Sequence, residues 1–158
     1  MKNKNQINVF DVANYIIENN PHKTTHMKLH KMIYYAYAKY LVKCGSLDSF
    51  KDSFRAWVYG PVLPELYKEF KEFTYLPINK LSPKGNIKKI NTSVDWKNVI
   101  DSIIELYGSA TGNELSDLTH QELPWQLGYN SGGSWDENVI SDEIIYKYFK
   151  NNLNRIQK

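Results

Sequence analysis

The sequence predicts a mainly α-helical protein folded as a single compact multi-helix domain. Apolar residues recur every three to four positions along most of the chain, and Ser, Thr or Asn precedes several of these runs at a helix N-cap position. The length of 158 residues suits one domain. A short extended segment or small hairpin is expected near residues 54–60 and 80–91. We expect residues 1–158 to form one domain, with its core at about 9–149 and a polar tail at 150–158.

Two helices are predicted near the N-terminus. Asn8, with Asp11 three positions later, is placed to cap the first helix, and Pro21 closes it. Thr25 caps the second helix, and Gly45 ends it. Each helix has one apolar face. The apolar positions are Val9, Val12, Ala13, Ile16 and Ile17 in the first helix and Leu29, Met32, Ile33, Ala36, Tyr40 and Leu41 in the second.

The next part of the chain leaves this helical pattern. Side chains alternate in character over residues 54–59, which favours an extended segment, and the Gly60-Pro61 pair is expected to turn the chain. Pro64 suits the first turn of a short helix. Residues 76–91 contain proline and glycine and are expected to form a loop or a loose hairpin. The inward positions of the short helix are Leu63, Leu66, Tyr67 and Phe70.

Three further helices are predicted in the second half of the chain. Thr92 with Asp95, and Thr111 with Glu114, have the spacing of capping boxes for the first two. Ser141 is placed to cap the last. Their apolar positions are Trp96, Val99, Ile100, Ile103, Ile104 and Tyr107 in the first, Leu115 and Leu118 in the second, and Ile144, Ile145, Tyr148 and Phe149 in the third.

The composition predicts a cytoplasmic protein. The single cysteine, Cys44, excludes an internal disulfide and fits a reducing compartment. No apolar run approaches the ~20 residues that a membrane-spanning helix needs, and the N-terminus lacks the apolar core of a signal peptide. The formal charge of +3 is small. Lys84, Lys88 and Lys89 fall in the predicted loop, where lysines are usually solvated, so binding to nucleic acid is not favoured.

Histidines at intervals of four residues raise the question of a metal site. His22, His26 and His30 would share one face of a continuous helix, a spacing that suits zinc. The helix is predicted to begin after His22, however, which leaves two imidazoles. A third ligand would have to come from His120 or Glu122, so no metal is expected.

His120, Glu122 and Trp125 allow two interpretations. A histidine and a glutamate two positions apart beside an aromatic ring could form the acid–base pair of a hydrolase. Alternatively, His120 bonds to free carbonyl groups at the end of a short helix, and Trp125 and Pro124 fill the core. We favour the second interpretation. Cys44 is expected to be inert, since the carboxyl end of a helix raises a thiol pKa. No phosphate loop, nucleophile elbow or paired metal motif is present, so neither an enzyme nor a cofactor is predicted.

Three separated blocks of sequence carry a recognisable pattern. Residues 28–35 combine a lysine–leucine helix start with aromatic residues, residues 56–67 read Ala-Trp-x-x-Gly-Pro-Val followed by Pro-Glu-Leu-Tyr, and residues 115–125 read Leu-Ser-x-Leu-Thr-His-x-x-x-Pro-Trp. Together they resemble the Panacea (SocA-like, DUF4065) domain family. This is a family of small bacterial and phage proteins whose known members act mainly as antitoxins. The resemblance spans about residues 9–149.

The resemblance implies an antitoxin of a bacterial or prophage toxin–antitoxin system. Such a protein is a mainly helical scaffold that neutralises the toxin of a neighbouring gene by direct protein–protein binding. One relative instead delivers its toxin to a Clp-type protease, so a proteolytic adaptor is the alternative. Neither a membrane nor nucleic acid is expected as a partner. The motif residues expected to maintain the fold are Leu29, Gly60, Pro61, Tyr67, His120, Pro124 and Trp125.

A partner surface is predicted on the exposed face of the second helix and around the Gly-Pro turn. Large aromatic residues anchor interfaces, while charges set orientation and association rate. Such a surface would cover the active site of the toxin or hold the toxin in an inactive form. The predicted partner residues are Lys28, Lys31, Tyr35, Trp57, Tyr59 and Glu65.

Overall fold

The computed structural model describes residues 6–45 and 50–157. These residues form a helical domain with one small β-hairpin, which confirms the predicted fold class. The helices are α1 (Val9–Asn19), α2 (His26–Cys44), α3 (Pro64–Phe70), α4 (Ile87–Asn91), α5 (Val94–Tyr107), α6 (Gly112–His120), α7 (Leu123–Tyr129) and α8 (Asp142–Lys150), and the strands are β1 (Arg55–Trp57) and β2 (Gly60–Val62).

Helix α2 lies at the centre of the domain. It packs against α1, α5, α6 and α8, so burial extends around the helix instead of along one stripe. The rings of Tyr34 and Tyr35 are buried, as are the lysines Lys28 and Lys31. The prediction of an exposed face at Lys28, Lys31 and Tyr35 is therefore wrong, because other elements cover those positions.

Helix caps follow the sequence closely. Asn8 and Asp11 form a capping box on α1, and Thr111 and Glu114 form another on α6. These reciprocal bonds satisfy backbone N–H groups that a helix start leaves unpaired. The box predicted at Thr92 is wrong: residues 87–91 form α4, and Ser93 caps α5 instead.

The hairpin turns at a different place from the one predicted. Strand β1 pairs antiparallel with β2, with Ala56 opposite Pro61, so the turn residues are Val58 and Tyr59. Gly60, expected to be part of the turn, begins β2 with φ of 118°, a conformation that glycine adopts without strain.

Helix α3 begins with Pro64 as its first residue, as predicted. Its inward face is formed by Leu66 and Phe70, which are buried together with the preceding Leu63. Tyr67 was expected to share this face, but it is 41% exposed and lies at the edge of a cleft.

The loop predicted at 76–91 is correct for residues 76–86. The loose hairpin offered as an alternative is wrong, because residues 87–91 are helical and pack on α1. Hydrogen bonds hold the loop to α1: the Asn14 side-chain amide donates to Ser82 O at 2.9 Å, and Ser82 N–H donates to Asn14 Oδ1 at 2.8 Å. In addition, Asn86 N–H donates to Asp11 Oδ1 at 2.6 Å.

The C-terminal region contains more structure than the sequence predicts. Ser141 caps α8 as expected, but α7 was not foreseen. Beyond α8, a short 3-10 turn at Leu153–Arg155 directs Ile156 into the core. The polar tail predicted at 150–158 therefore contributes to the packing of the domain.

No helix within residues 6–45 and 50–157 combines the length and apolar character needed to cross a membrane.

Candidate binding cleft

A cleft of about 900 Å³ opens between the N-terminal half of α2, the hairpin, α3 and the segment that follows α7. Its floor contains Lys31 together with two histidines of α2. Its mouth is surrounded by aromatic residues, which we call the aromatic rim: Trp57, Tyr59, Tyr67, Tyr129 and Trp135.

Three side chains of α6 and α7 hold the hairpin turn that forms one wall of the cleft. They bond to three consecutive backbone carbonyl oxygens: Trp125 Nε1 donates to Trp57 O at 2.7 Å, and Ser116 Oγ donates to Tyr59 O at 2.8 Å. The third contact, His120 Nε2 to Val58 O, is 2.8 Å long. Because a carbonyl oxygen can only accept, His120 carries a proton on Nε2.

This arrangement explains why two blocks of sequence pattern occur together. The Ser-x-x-x-His-x-x-x-x-Trp positions of residues 116–125 supply the donors, and residues 57–59 of the hairpin supply the acceptors. The ring of His120 also lies against Trp125, with centroids 4.1 Å apart. The prediction that His120 bonds to carbonyl groups at the end of its own helix is thus wrong about the carbonyl, which belongs to the hairpin.

The aromatic rim is built around Trp57. Its Nε1 donates to Trp135 O at 2.6 Å, and its ring meets those of Trp135 and Tyr67 edge-on at 5.8 and 5.2 Å. Tyr59 and Trp135 are each 62% exposed. The rim therefore presents large aromatic side chains to solvent on a backbone that is fixed by hydrogen bonds.

Lys31 lies at the floor of the cleft with 1% of its surface exposed. Among the described residues, its Nζ has no hydrogen-bond or ion-pair partner. Burial lowers the pKa of Lys31 to about 7, because a charged ammonium is poorly solvated there. Gly60 makes room for it: a Cβ at that position would lie 2.8 Å from Lys31 Cε.

Two histidines sit beside Lys31 and are hydrogen-bonded to each other. The backbone N–H of Leu63 donates to His30 Nδ1 at 3.4 Å, so the proton of neutral His30 is on Nε2, which donates to His26 Nε2 at 2.8 Å. Burial and the nearby Lys31 lower the pKa of His26 to about 4. Burial, with His26 and Lys31, also lowers the pKa of His30 well below its usual value. The pair is neutral at physiological pH.

The histidines do not assemble into a metal centre with His22. His22 lies before α2 on an exposed turn. Within the described ranges, no group of three or more His, Cys, Asp or Glu side chains is arranged to hold a metal ion.

The acid–base pair of the less favoured interpretation is not formed. His120 contacts the hairpin, whereas Glu122 points into the core, where it accepts from Tyr35 OH at 2.8 Å and lies 3.7 Å from Arg155 Nε. Burial raises the pKa of Glu122 to about 7. Pro124 and most of Trp125 pack inward, as the favoured interpretation expected.

The Cys44 thiol has a raised pKa, as predicted. The main cause is burial, followed by the nearby Asp95 carboxylate. A raised pKa keeps the thiol protonated and therefore a poor nucleophile.

The predicted partner residues fall into two groups. Lys31, Trp57 and Tyr59 line the cleft. Lys28 instead donates from Nζ to the carbonyl oxygens of Lys23 and Gly108, and Tyr35 bonds to Glu122 in the core. Glu65 is half-buried on α3. Of the motif residues, Leu29, Gly60 and Pro61 are buried.

Sequence reasoning missed Tyr129 and Trp135 as cleft residues. Trp135 follows a Ser-Gly-Gly-Ser segment, where a large apolar residue in a polar stretch is a signal that could have been noticed. Tyr129 lies at the end of α7, a helix that the sequence pattern did not predict.

Comparison with known families gives a match over more than half of the chain. A family model described as "Antitoxin SocA-like, Panacea domain" matches residues 29–126, a range that includes the hairpin and α6. No curated protein and no solved structure was found to match the chain.

Proposed function

Because the chain belongs to the family of SocA-like antitoxins with a Panacea domain, we propose that it is the antitoxin of a bacterial or prophage toxin–antitoxin system. In this proposal it acts in the cytoplasm and neutralises the toxin encoded by a neighbouring gene through direct protein–protein binding. It works as a binding scaffold and needs no catalytic step.

The observation that carries the proposal of direct binding is the exposed aromatic rim. Trp57, Tyr59, Tyr67, Tyr129 and Trp135 surround one cleft, and the apolar Val58 stands exposed at the tip of the hairpin beside them. Tryptophan and tyrosine dominate interface hot spots, and clustered apolar exposure marks interaction sites.

The hairpin that carries part of this surface is preorganised. The carbonyl groups of residues 57–59 are already bonded to Trp125, His120 and Ser116, so binding would not have to order that backbone. A rigid surface loses less conformational entropy on association, and more of the contact energy appears as affinity.

The proposal of a non-enzymatic role is supported by the positions of the candidate catalytic groups. His120 bonds to a carbonyl oxygen of the hairpin, and Glu122 is buried against Tyr35. Among the described residues, no hydrogen bond or ion pair joins His120 to Glu122. A hydrolase based on this pair therefore has no structural support.

The test is co-expression of the chain with the product of its neighbouring gene, scored by growth rescue and by co-purification. The informative variants are two exposed valines changed to aspartate: Val58, at the rim and 58% exposed, and Val94, at the start of α5 and 73% exposed. We expect Val58→Asp to weaken the complex at least about tenfold and to reduce rescue. Val94→Asp should behave like the wild type, because aspartate is tolerated in the first turn of a helix.

Equal binding by the two variants would exclude the rim as the toxin-binding surface. Rescue without a stable complex would contradict neutralisation by occlusion and favour the alternative of a proteolytic adaptor. That case is settled by repeating the rescue in cells that lack Clp-type proteases, where an adaptor loses its effect.

A further inference from the structure

The floor of the cleft contains a lysine and two histidines, whereas the proposed toxin-binding surface is the aromatic rim. A lysine side chain enclosed by protein usually has a carboxylate or several carbonyl oxygens around its ammonium group. Lys31 has neither among the described residues, although it is 1% exposed. Its ammonium group therefore depends on whatever occupies the cleft that Lys31 lines.

The space beside Lys31 depends on a glycine in the hairpin. Gly60 has a φ of 118° and carries no Cβ, and a Cβ there would lie 2.7 Å from Thr119 Oγ1 and 2.8 Å from Lys31 Cε. The hairpin thus comes as close to the lysine as its backbone allows. Thr119 Oγ1 donates its proton to Ser116 O at 2.8 Å and keeps its lone pairs as acceptors.

One more polar group of the cleft can donate to a carboxylate. The hydrogen-bond chain from Leu63 through His30 leaves the proton of neutral His26 on Nδ1, and His26 lines the cleft. The rest of the lining is dominated by aromatic rings.

We propose that this cleft is a small-molecule site for a carboxylate carried on a flat apolar body, with the Lys31 ammonium as counter-ion and the aromatic rim around the apolar part. One buried cation matches one negative charge, so a monoanion is preferred over a phosphate dianion, which would leave charge unpaired in a poorly solvated site. The volume of about 900 Å³ is within the range of small-molecule sites. This inference goes beyond the proposed antitoxin function and does not depend on it.

Ligand binding should be coupled to protonation of Lys31. The other titratable groups that face the cleft are His26 and His30 from α2, Tyr59 from the hairpin, Tyr67 and Lys71 from α3 and the turn after it, and Tyr129 from α7. A bound carboxylate stabilises the ammonium form of Lys31. Since the pKa of free Lys31 is about 7, binding above that pH should take up a proton, and affinity should fall as pH rises further.

The test uses phenylacetate as the probe and phenylacetamide as its uncharged match, on the full chain. Calorimetry gives affinity, and the 13C shift of the Lys31 ε-carbon reports its protonation. We expect phenylacetate to bind at about millimolar concentration, with phenylacetamide at least about tenfold weaker. Lys31→Met should reduce phenylacetate affinity about tenfold or more, whereas Lys80→Met, which removes an exposed lysine of the 76–86 loop, should not.

The 13C signal of Lys31 in the wild type tests the proposal without any variant. Phenylacetate should move this signal toward the chemical shift of the ammonium form. No saturable binding, or equal affinity for the charged and neutral probes, overturns the proposal. A third overturning result is loss of toxin binding by Lys31→Met without any phenylacetate binding, since the carboxylate would then belong to the toxin. Failure of toxin neutralisation alone leaves the probe result intact, so the two proposals fail separately.

Discussion

Lys31 has surroundings that are unusual for a charged side chain. Its ammonium group is enclosed without an acceptor among the described residues, and burial lowers its pKa from 10.5 to about 7. Between these two pH values the unfolded chain binds more protons at this site than the folded chain does. The contribution of Lys31 to stability is therefore most unfavourable below about pH 7 and is relieved as pH rises toward 10.5.

Lys31→Met should consequently raise the free energy of unfolding by a few kcal/mol at neutral pH. Methionine keeps the length of the side chain and removes the charge that must be desolvated. Urea unfolding across the neutral-to-alkaline range should show the advantage of the variant shrinking as pH rises. Lys80→Met provides the exposed control, and a constant difference at all pH values would contradict a buried, protonatable Lys31.

Glu122 should show the opposite pH dependence. Its pKa is raised from 4.5 to about 7, mainly by burial, so the folded protein binds more protons than the unfolded chain in that window. Stability from this group is present below about pH 4.5 and is lost as pH rises through 7.

The prediction for Glu122→Gln follows from that loss. The stability of the Glu122→Gln variant relative to the wild type should increase between about pH 4.5 and 7 and then level off. The wild type loses stability over this range, whereas the amide of the variant does not ionise. Denaturant unfolding over this range measures the effect, with the exposed Glu18→Gln as control. The slope is the readout, since a fixed offset from altered hydrogen bonding does not depend on pH. A flat difference would show that Glu122 is not desolvated.

At the scale of elements, the hairpin depends on helices that are distant in sequence. Strands of three residues are too short to be stable alone, and this pair is completed by the donors of Ser116, His120 and Trp125. The backbone of residues 138–140 adds further support, with Ala56 N–H donating to Asn138 O at 2.9 Å. The hairpin and α6–α7 should therefore open as one unit.

Gly60→Ala tests how tightly the hairpin is fitted. Both backbone strain at φ of 118° and collision with Thr119 and Lys31 oppose a Cβ at this position. We expect a loss of more than about 2 kcal/mol in unfolding free energy, because the strain and the collision add. Gly132→Ala is the matched control, because Gly132 also has a positive φ, 78°, but has no atom within 4 Å of the added Cβ. Its cost should be about 1 kcal/mol.

Equal losses for the two glycine variants would mean that backbone conformation alone matters at Gly60. In that case the close approach of the hairpin to Lys31 is not a constraint on the fold. Thermal unfolding and hydrogen exchange of the β1 and β2 amides distinguish the two cases, because a misfitted hairpin loses protection locally.

The whole molecule is organised around α2, and the C-terminal segment packs against the core beside α5 and Glu122. Ile156 is 1% exposed, and Tyr107 OH donates to Arg155 O at 2.6 Å. Arg155 also lies near Glu122. Residues at the end of the chain thus help to shield the core carboxylate.

Ile156→Ala should lower the free energy of unfolding by about 2–4 kcal/mol, because it leaves a cavity in a packed region. Leu153→Ala, three residues earlier and 39% exposed, should cost less than about 1 kcal/mol. Chemical denaturation of the two variants measures the difference. If both cost equally little, the C-terminal segment is not part of the cooperative core.

Sequence alone determined most of the secondary structure and the family. Caps such as Asn8–Asp11 and Thr111–Glu114 are local, so their chemistry can be read without knowing the fold. The three sequence blocks were enough to predict the family, which the match to the family model over residues 29–126 confirms. Short elements without a strong period, such as α4 and α7, were missed because neighbours in space stabilise them.

Only the tertiary structure decided which side chains are buried and which meet. Lys28, Lys31 and Tyr35 looked exposed because periodicity shows one apolar face, whereas burial depends on how many elements surround a helix. The bonds from α6–α7 to the hairpin turn join residues about 60 positions apart, and no local pattern encodes such a pairing. The cleft and its unpaired lysine exist because α2, the hairpin and α3 converge there, and convergence is a property of the packed molecule.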